Sequence, residues 1–271
     1  QTNSYQYDED GNLLKHIITD KDLEDYVTEY SYNKSGFVTA ITTGMGTETI
    51  TYDKAGRIKQ KENSLTGYSK SYTYYKDNTI REITTRMDDN LVYYENFGYD
   101  KNGNKIYDDQ NGDIRKYTYD GLNRLTGAEI GNVRTEYEFD DYNNISKEYE
   151  IIGARIEKKS YYYDNANRLL LEDGQRTVQY EYDNSGNLIK RITGIGTNAE
   201  SSYYRYDGYN RLSEFIDNYS TAEYEYNING LRESKTVNGV KTRYIYNGAD
   251  IIGEIFDDNI YTYYRGTELI G

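Results

Sequence analysis

The chain has no cysteine, no proline, no tryptophan and a single histidine, His16. Without cysteine, disulfides and thiolate metal sites are excluded, which fits secretion without requiring it. One imidazole with no second histidine leaves Ser-His-Asp and zinc chemistry short of partners, so His16 reads as a strand residue. Missing proline suits a nearly uninterrupted hydrogen-bonded ladder, because proline removes a backbone donor. A low-GC genome would bias the composition the same way. Basic charge is scarce as well: 32 Lys and Arg stand against 46 Asp and Glu, a net charge of -14. Such a chain repels nucleic acid phosphates and anionic lipid, so no nucleic acid partner and no membrane insertion are expected. No run nears the roughly 18 apolar residues of a membrane span. The acidity itself serves first for solubility.

What is abundant is tyrosine, 36 residues against 5 phenylalanines, and it is periodic. Tyr5, Tyr7, Asp8 and Gly11 open a unit, YQYDEDGNL. It returns with Tyr52, Asp53 and Gly56, then Tyr117, Tyr119 and Asp120, then Tyr180, Tyr182, Asp183 and Gly186. Further copies carry Tyr204, Tyr206 and Asp207, and Tyr224, Tyr226 and Gly230. The second aromatic of each copy falls at Tyr7, Tyr32, Tyr52, Tyr74, Tyr99, Tyr119, Phe139, Tyr163, Tyr182, Tyr206, Tyr226, Tyr246 and, degenerately, Tyr263. Thirteen copies stepping by 17 to 25 residues signal a repeat architecture. Residues 1–271 therefore read as one array. Gln1 enters a repeat almost directly and Gly271 follows one closely, so a piece of a longer array is expected.

In YEYDNSGNL, Tyr180 and Tyr182 are two apart and share one face of a strand, with Glu181 on the other. Asp183 and Gly186 sit at the first and fourth positions of a type I turn. Asn123, Asn167 and Asn210, which replace that glycine in other copies, tolerate positive φ next best. Asn111-Gly112, Asp173-Gly174 and Asn238-Gly239 read as two-residue hairpins between copies. Pairing outward from Asp173-Gly174 sets Leu171 opposite Arg176 and puts Leu169, Leu171, Val178 and Tyr180 on one face. The expectation is an all-β fold: tandem β-hairpin repeats of about 20 residues forming a continuous antiparallel meander that coils into a spiral sheet or shell. Longer steps around Asp20 to Asp25, Met87 to Asn90, Ile151 to Arg155 and Gly194 to Ala199 lengthen one row of hairpins. Half-buried tyrosines packing through their rings, with hydroxyls left wet, are favoured over an exposed glycan platform.

The unit Y-x-Y-D-x-x-G-N/R-L resembles the YD repeat of the RHS family, over essentially the whole chain. The end, from Tyr244, also looks like the segment that precedes the C-terminal core of RHS proteins. The resemblance implies a hollow β-sheet shell of the kind found in bacterial polymorphic and insecticidal toxins and wall-associated proteins, enclosing a C-terminal effector. Teneurins use a similar shell for adhesion. The D-P-x-x-G-type signature of the RHS core is missing here, so self-cleavage is not inherited.

The expected function is thus a non-catalytic structural segment that encloses or displays part of its own polypeptide, secreted or at a bacterial surface, with no cofactor or metal. The expected partners are the rest of that polypeptide and, through exposed edge strands, end-to-end copies of the chain. The alternative is an adhesion or glycan-binding module on the tyrosine-rich or loop-edge surface. Paired carboxylates at Asp88-Asp89, Asp108-Asp109, Asp140-Asp141 and Asp257-Asp258 read as solvated turn formers rather than a glycosidase pair. DEDGN at Asp8 lacks the spaced ligands of a calcium loop and reads as a turn.

Overall fold

A computed structural model describes residues 1–21, 23–257 and 259–266; Asp258, the second member of one acidic pair, lies outside the described residues, as do Asp22 and the last five residues. The fold is all-β. Twenty-five strands among the described residues form an antiparallel meander of hairpin repeats.

The Asp183 repeat shows why the signature folds this way. The strand Val178–Tyr182 runs into the turn, and Leu188–Thr193 returns against it. Gly186 N–H donates to the Asp183 carbonyl at 3.1 Å, closing the turn, with Gly186 at φ 87° where a Cβ would be strained. Asn123, Asn167 and Asn210 take the same left-handed conformation, at φ 61°, 59° and 60°, joined by Asn78 and Asn143. Asn111-Gly112 and Asn238-Gly239 form the expected tight hairpins, with positive φ at both residues of each.

Two features differ from the sequence reading. First, the register slips by one residue just before the second aromatic. Glu181 faces Lys190, but Tyr182 faces Leu188, so Ile189 is an extra residue. The same slip precedes Tyr7, Tyr32, Tyr52, Tyr74, Tyr119, Phe139, Tyr163, Tyr206, Tyr226 and Tyr246. A bulge of this kind interrupts the ladder and adds right-handed twist. Second, Asp173-Gly174 is not a two-residue turn. Asp173 is still paired to Ser160, and the next strand begins only at Val178. Leu171 therefore faces Gln179, and Glu172 faces Val178. Leu171, opposite Tyr162, leaves the tyrosine face, and Glu172, opposite Tyr161, joins it, where it accepts the Tyr180 hydroxyl.

The chain divides into two compact units. One comprises Gln1–Phe97 with Thr242–Gly271, the other Gly98–Lys241. In the first, Ile18, Tyr26, Ile245 and Ile252 form a buried cluster, with Leu23, Ile255 and Tyr264 packed against it. Ile18 pairs with Tyr26 on the tyrosine face, whereas Ile245 lies between Tyr244 and Tyr246 and so points from the opposite face of its strand. One layer of sheet rests on another there, and each buried aliphatic side chain contributes about 1.5–3 kcal/mol. In the second unit, Val178 and Ala222 are the buried apolar residues among those described, beside buried Asp108, Thr193 and Ser234.

Candidate functional site on the tyrosine face and turn edge

The second tyrosine of the signature is a latch. Tyr32, Tyr52, Tyr74, Tyr119, Tyr163, Tyr182, Tyr206 and Tyr226 each donate their hydroxyl to a carbonyl of the preceding repeat, at 2.7–3.1 Å. The acceptor is the first residue of that repeat's return strand: Leu13 for Tyr32, Val38 for Tyr52, Leu188 for Tyr206. This carbonyl belongs to the residue at the bulge, where the ladder is broken. The hydroxyls expected to be wet are instead bonded, because an acceptor freed by the bulge would otherwise be left without a partner on a half-buried face. Burial pushes the phenols of Tyr52, Tyr182 and Tyr206 above their ordinary pKa.

In the second unit the first tyrosine also reaches back. Tyr117 donates to Asp108 at 3.0 Å, Tyr161 to Glu148 at 2.7 Å and Tyr180 to Glu172 at 2.5 Å, each a carboxylate of the preceding repeat. Burial first, then the carboxylate, pushes the Tyr161 and Tyr180 phenols up. Asp108 is wholly buried, with Lys105 Nζ 2.8 Å from one oxygen and Arg115 Nε 3.9 Å from the other. It is therefore not the solvated turn residue expected from its pairing with Asp109. It sits in a strand, on the tyrosine face, and Lys105 and Tyr117 compensate its charge. Glu148, Glu150, Glu157, Lys159, Glu172 and Val178 line a shallow cleft of about 300 Å³ on the same face.

The turn edge is a second network. Asp53 Oδ1 accepts the backbone N–H of Ala55 and Arg57, while Oδ2 takes the Arg57 guanidinium. Arg57 also stacks on the next repeat's Tyr74, 4.4 Å from the ring centre, and donates to Asn78. Arg124 repeats this with Asp120, Phe139 and Asn143. Where asparagine replaces arginine, the side-chain amide does the same: Asn104 joins Asp100 to Asn123, Asn144 joins Asp140 to Asn167, and Asn187 joins Asp183 to Asn210. The asparagines at positive φ are thus acceptors for their neighbours, more than substitutes for glycine. The Asn187 side-chain amide, followed by backbone N–H donors, holds the Asp183 carboxyl below the usual range.

The remaining signature residues fall into this scheme with two exceptions. Asp8 caps its own turn through Asp10 and Asn12, and Asp207 pairs with Arg211. Gly11, Gly56 and Gly230 take positive φ. Tyr204 leans on Phe215, and Arg232 lies over Tyr224. Tyr5 and Tyr7, by contrast, are 51% and 59% exposed, and Tyr5 stacks on His16 at 4.5 Å. His16 is a buried strand residue within 2.9 Å of Asn3 Oδ1, and burial lowers its pKa. The carboxylate row, the bulge and the asparagine acceptors escaped the sequence reading. Among the described residues, no group of three or more His, Asp or Glu is arranged to hold a metal ion.

No family model matches the chain, and no curated protein matches it. Solved structures do. A chain of the Photorhabdus luminescens Tc holotoxin pore, in a TccC3 variant, superposes on 97% of this chain with a TM-score of 0.59 at 16% identity. A TcdB2-TccC3-TEV chain covers 96% with a TM-score of 0.53 at 12% identity. The likeness is one of fold. This chain spans 15% and 19% of the length of those two chains.

Proposed function

We propose that this chain is a non-catalytic structural segment of RHS/YD-repeat type, which encloses or displays another part of its own polypeptide in a secreted or bacterial cell-surface protein. The observation that carries the reading is where the signature's chemistry goes. Tyrosine hydroxyls and the arginines and asparagines after the turn join one repeat to the next, and the turn aspartates hold those arginines and asparagines in place. Side chains so engaged build a wall rather than a reaction centre. The repeat's resemblance to the RHS family and the fold's likeness to Tc toxin chains support the same reading. Limited proteolysis of the complete natural polypeptide tests it. Another segment of that polypeptide should resist protease until the repeats are cut; cleavage of all other segments ahead of the repeats would overturn it.

Surface binding is the second reading, favoured by the rings of Tyr142 and Tyr209, 75% and 81% exposed at turn tips. A glycan array on which the protein binds nothing would remove the glycan form of it.

A further inference from the structure

In the unit built from Gln1–Phe97 and Thr242–Gly271, the end of the chain lies on the tyrosine face of its beginning. Residues 250–257 and 259–265 form a strap. The strand Asp250–Phe256 pairs with Val240–Asn247 on one side and with Asn259–Thr262 on the other, so the strap's ladder partners are its own sequence neighbours. It meets the tyrosine face through side chains and one backbone N–H. Ile252 joins Ile18 and Tyr26 in the buried cluster, with Ile255 and Tyr264 at its margin. The Tyr264 ring stacks on Tyr26 at 5.4 Å, and Arg265 N–H donates to the Tyr26 hydroxyl at 3.1 Å. At its root, Arg243 pairs with buried Asp20 at 3.2 Å.

Two glycines lie at this contact. A Cβ on Gly44 would stand 2.6 Å from the Tyr264 ring, and one on Gly253 would stand 2.5 Å from Leu23 Cδ1. Neither glycine has a positive φ, so neither is required by its own backbone. They are sites of close approach between the strap and the strands it covers. The strap is otherwise a thin layer: Phe256 and Tyr261 are 41% and 49% exposed on its open side, and Ile260, opposite Ile255 on the docked side, is still 51% exposed. A cleft of about 260 Å³ remains beside Tyr264, lined by Asp25, Val27, Thr42 and Gly44.

We propose that residues 250–257 and 259–265 are a self-docked lid on the tyrosine face of Leu13–Asp20 and Leu23–Tyr32, separable from the repeats, with Gly44 and Gly253 as positions of close fit. A layer with few apolar anchors and an uncovered outer face opens sub-globally before the sheet it covers. The docking stands on the packing alone. Only its consequence, that lifting the lid opens an enclosing face, rests on the function proposed above.

Hydrogen exchange followed by mass spectrometry on the full chain tests this. Gly44→Ala and Gly253→Ala should each speed exchange at least about tenfold in residues 23–32 and 250–256, with residues 58–63 and 68–74 unchanged. Gly208→Ala is the control, since its Cβ meets nothing within 4 Å and its φ is not positive. Exchange unaltered in the first two variants would overturn the proposal. Equal acceleration across all strands of the unit would overturn it too, since the strap would then be an inseparable part of the core.

A double variant guards against a fold-wide effect of the glycine changes. Gly44→Ala with Tyr264→Ala should exchange no faster than Tyr264→Ala alone, because the ring that the new methyl strikes is gone. Additive effects would sink the proposal. Should Gly44→Ala not fold, Tyr26→Phe removes only the hydroxyl that receives Arg265 N–H and should speed exchange about threefold in the same two segments; no change there would count against the lid. Lid opening without protease protection of any other part of the polypeptide would discard the enclosing role and leave the lid standing.

Discussion

The two units use one repeat and finish its tyrosine face differently. In the unit of Gln1–Phe97 and Thr242–Gly271, the residue facing the first aromatic is Ile41 against Tyr30 and Ile83 against Tyr72. In two repeats of the unit of Gly98–Lys241, it is Glu148 against Tyr137 and Glu172 against Tyr161. The position varies within each unit: His16 faces Tyr5, Lys61 faces Ile50 and Glu254 faces Tyr244 in the first, and Ala128 faces Tyr117, Arg191 faces Tyr180, Phe215 faces Tyr204 and Lys235 faces Tyr224 in the second. The latches and turn cages run through both. The chemistry of this position changes from repeat to repeat while the signature holds the sheet. Apolar residues at or near it serve where a second layer covers the face, as with Ile18 and Ile252. Carboxylates serve where the tyrosine hydroxyls Tyr161 and Tyr180 need acceptors.

The sharpest way to break this contrast is to empty the covered core. Ile252→Ala should cost about 2–5 kcal/mol, from lost transfer energy and the cavity left behind. The loss should appear in urea unfolding and be localised by hydrogen exchange to the first unit. Val178→Ala in the second unit removes less volume from a site with little apolar surround, and should cost visibly less in the same measurement.

The next effect tests the carboxylate row. Asp108→Asn removes a charge-assisted acceptor from Lys105 and Tyr117 and should cost about 1.5–3 kcal/mol by the same unfolding assay. Lys105 remains partly exposed and can rehydrate, which limits the loss. A neutral outcome would mean that the buried carboxylate contributes nothing net.

Smaller still is a single latch. Tyr119→Phe and Tyr52→Phe should each cost about 0.5–1.5 kcal/mol, alike in the two units, because the carbonyl lost is a backbone group in both. The latches also have a pH signature. Burial raises the folded-state pKa of Tyr52, Tyr74, Tyr163 and Tyr182, so the native state holds these protons more tightly than the unfolded chain. Their contribution is full below the unfolded pKa, near about 10, and is lost as pH rises through the folded values. Urea midpoints should fall on the alkaline side, and stability rising there would contradict the latch. The turn aspartates carry the opposite sign. Asp53, held down first by the Arg57 side chain, contributes above its unfolded pKa and loses that contribution as pH falls through the folded one.

The smallest effect sharpens the reading of the turn edge. Asn143→Gly keeps the backbone conformation easily but removes the acceptor of Arg124. If acceptance matters, a double-mutant cycle with Arg124 should give a coupling of about 0.2–1 kcal/mol, while a value of zero would return the asparagine to a purely conformational role.

Much of this molecule was legible in its residues. Period, strand facing, the type I turns and the Asn-Gly hairpins are local matters, governed by φ preferences and the two-residue alternation of a strand. The bulge was not legible, since Leu188 and Ile189 are both apolar and nothing in their order says which of them is extra. The Asp173-Gly174 turn misled because the dipeptide has turn chemistry, yet the neighbouring strand still pairs with Asp173. Asp108 misled because an acidic pair looks the same in a turn and in a strand, and only pairing with Lys105 and Tyr117 makes its burial tolerable.

By itself the sequence determined that this is an array of antiparallel hairpins, because each unit carries its own strand, turn and return within a span that closes locally. Only the tertiary structure decided where each tyrosine hydroxyl goes, which residues face the tyrosines, and that residues 250–256 cover the strands near residues 18 and 26. Those outcomes depend on contacts between residues such as Tyr26 and Tyr264, far apart along the chain, and no local preference specifies a partner at that distance.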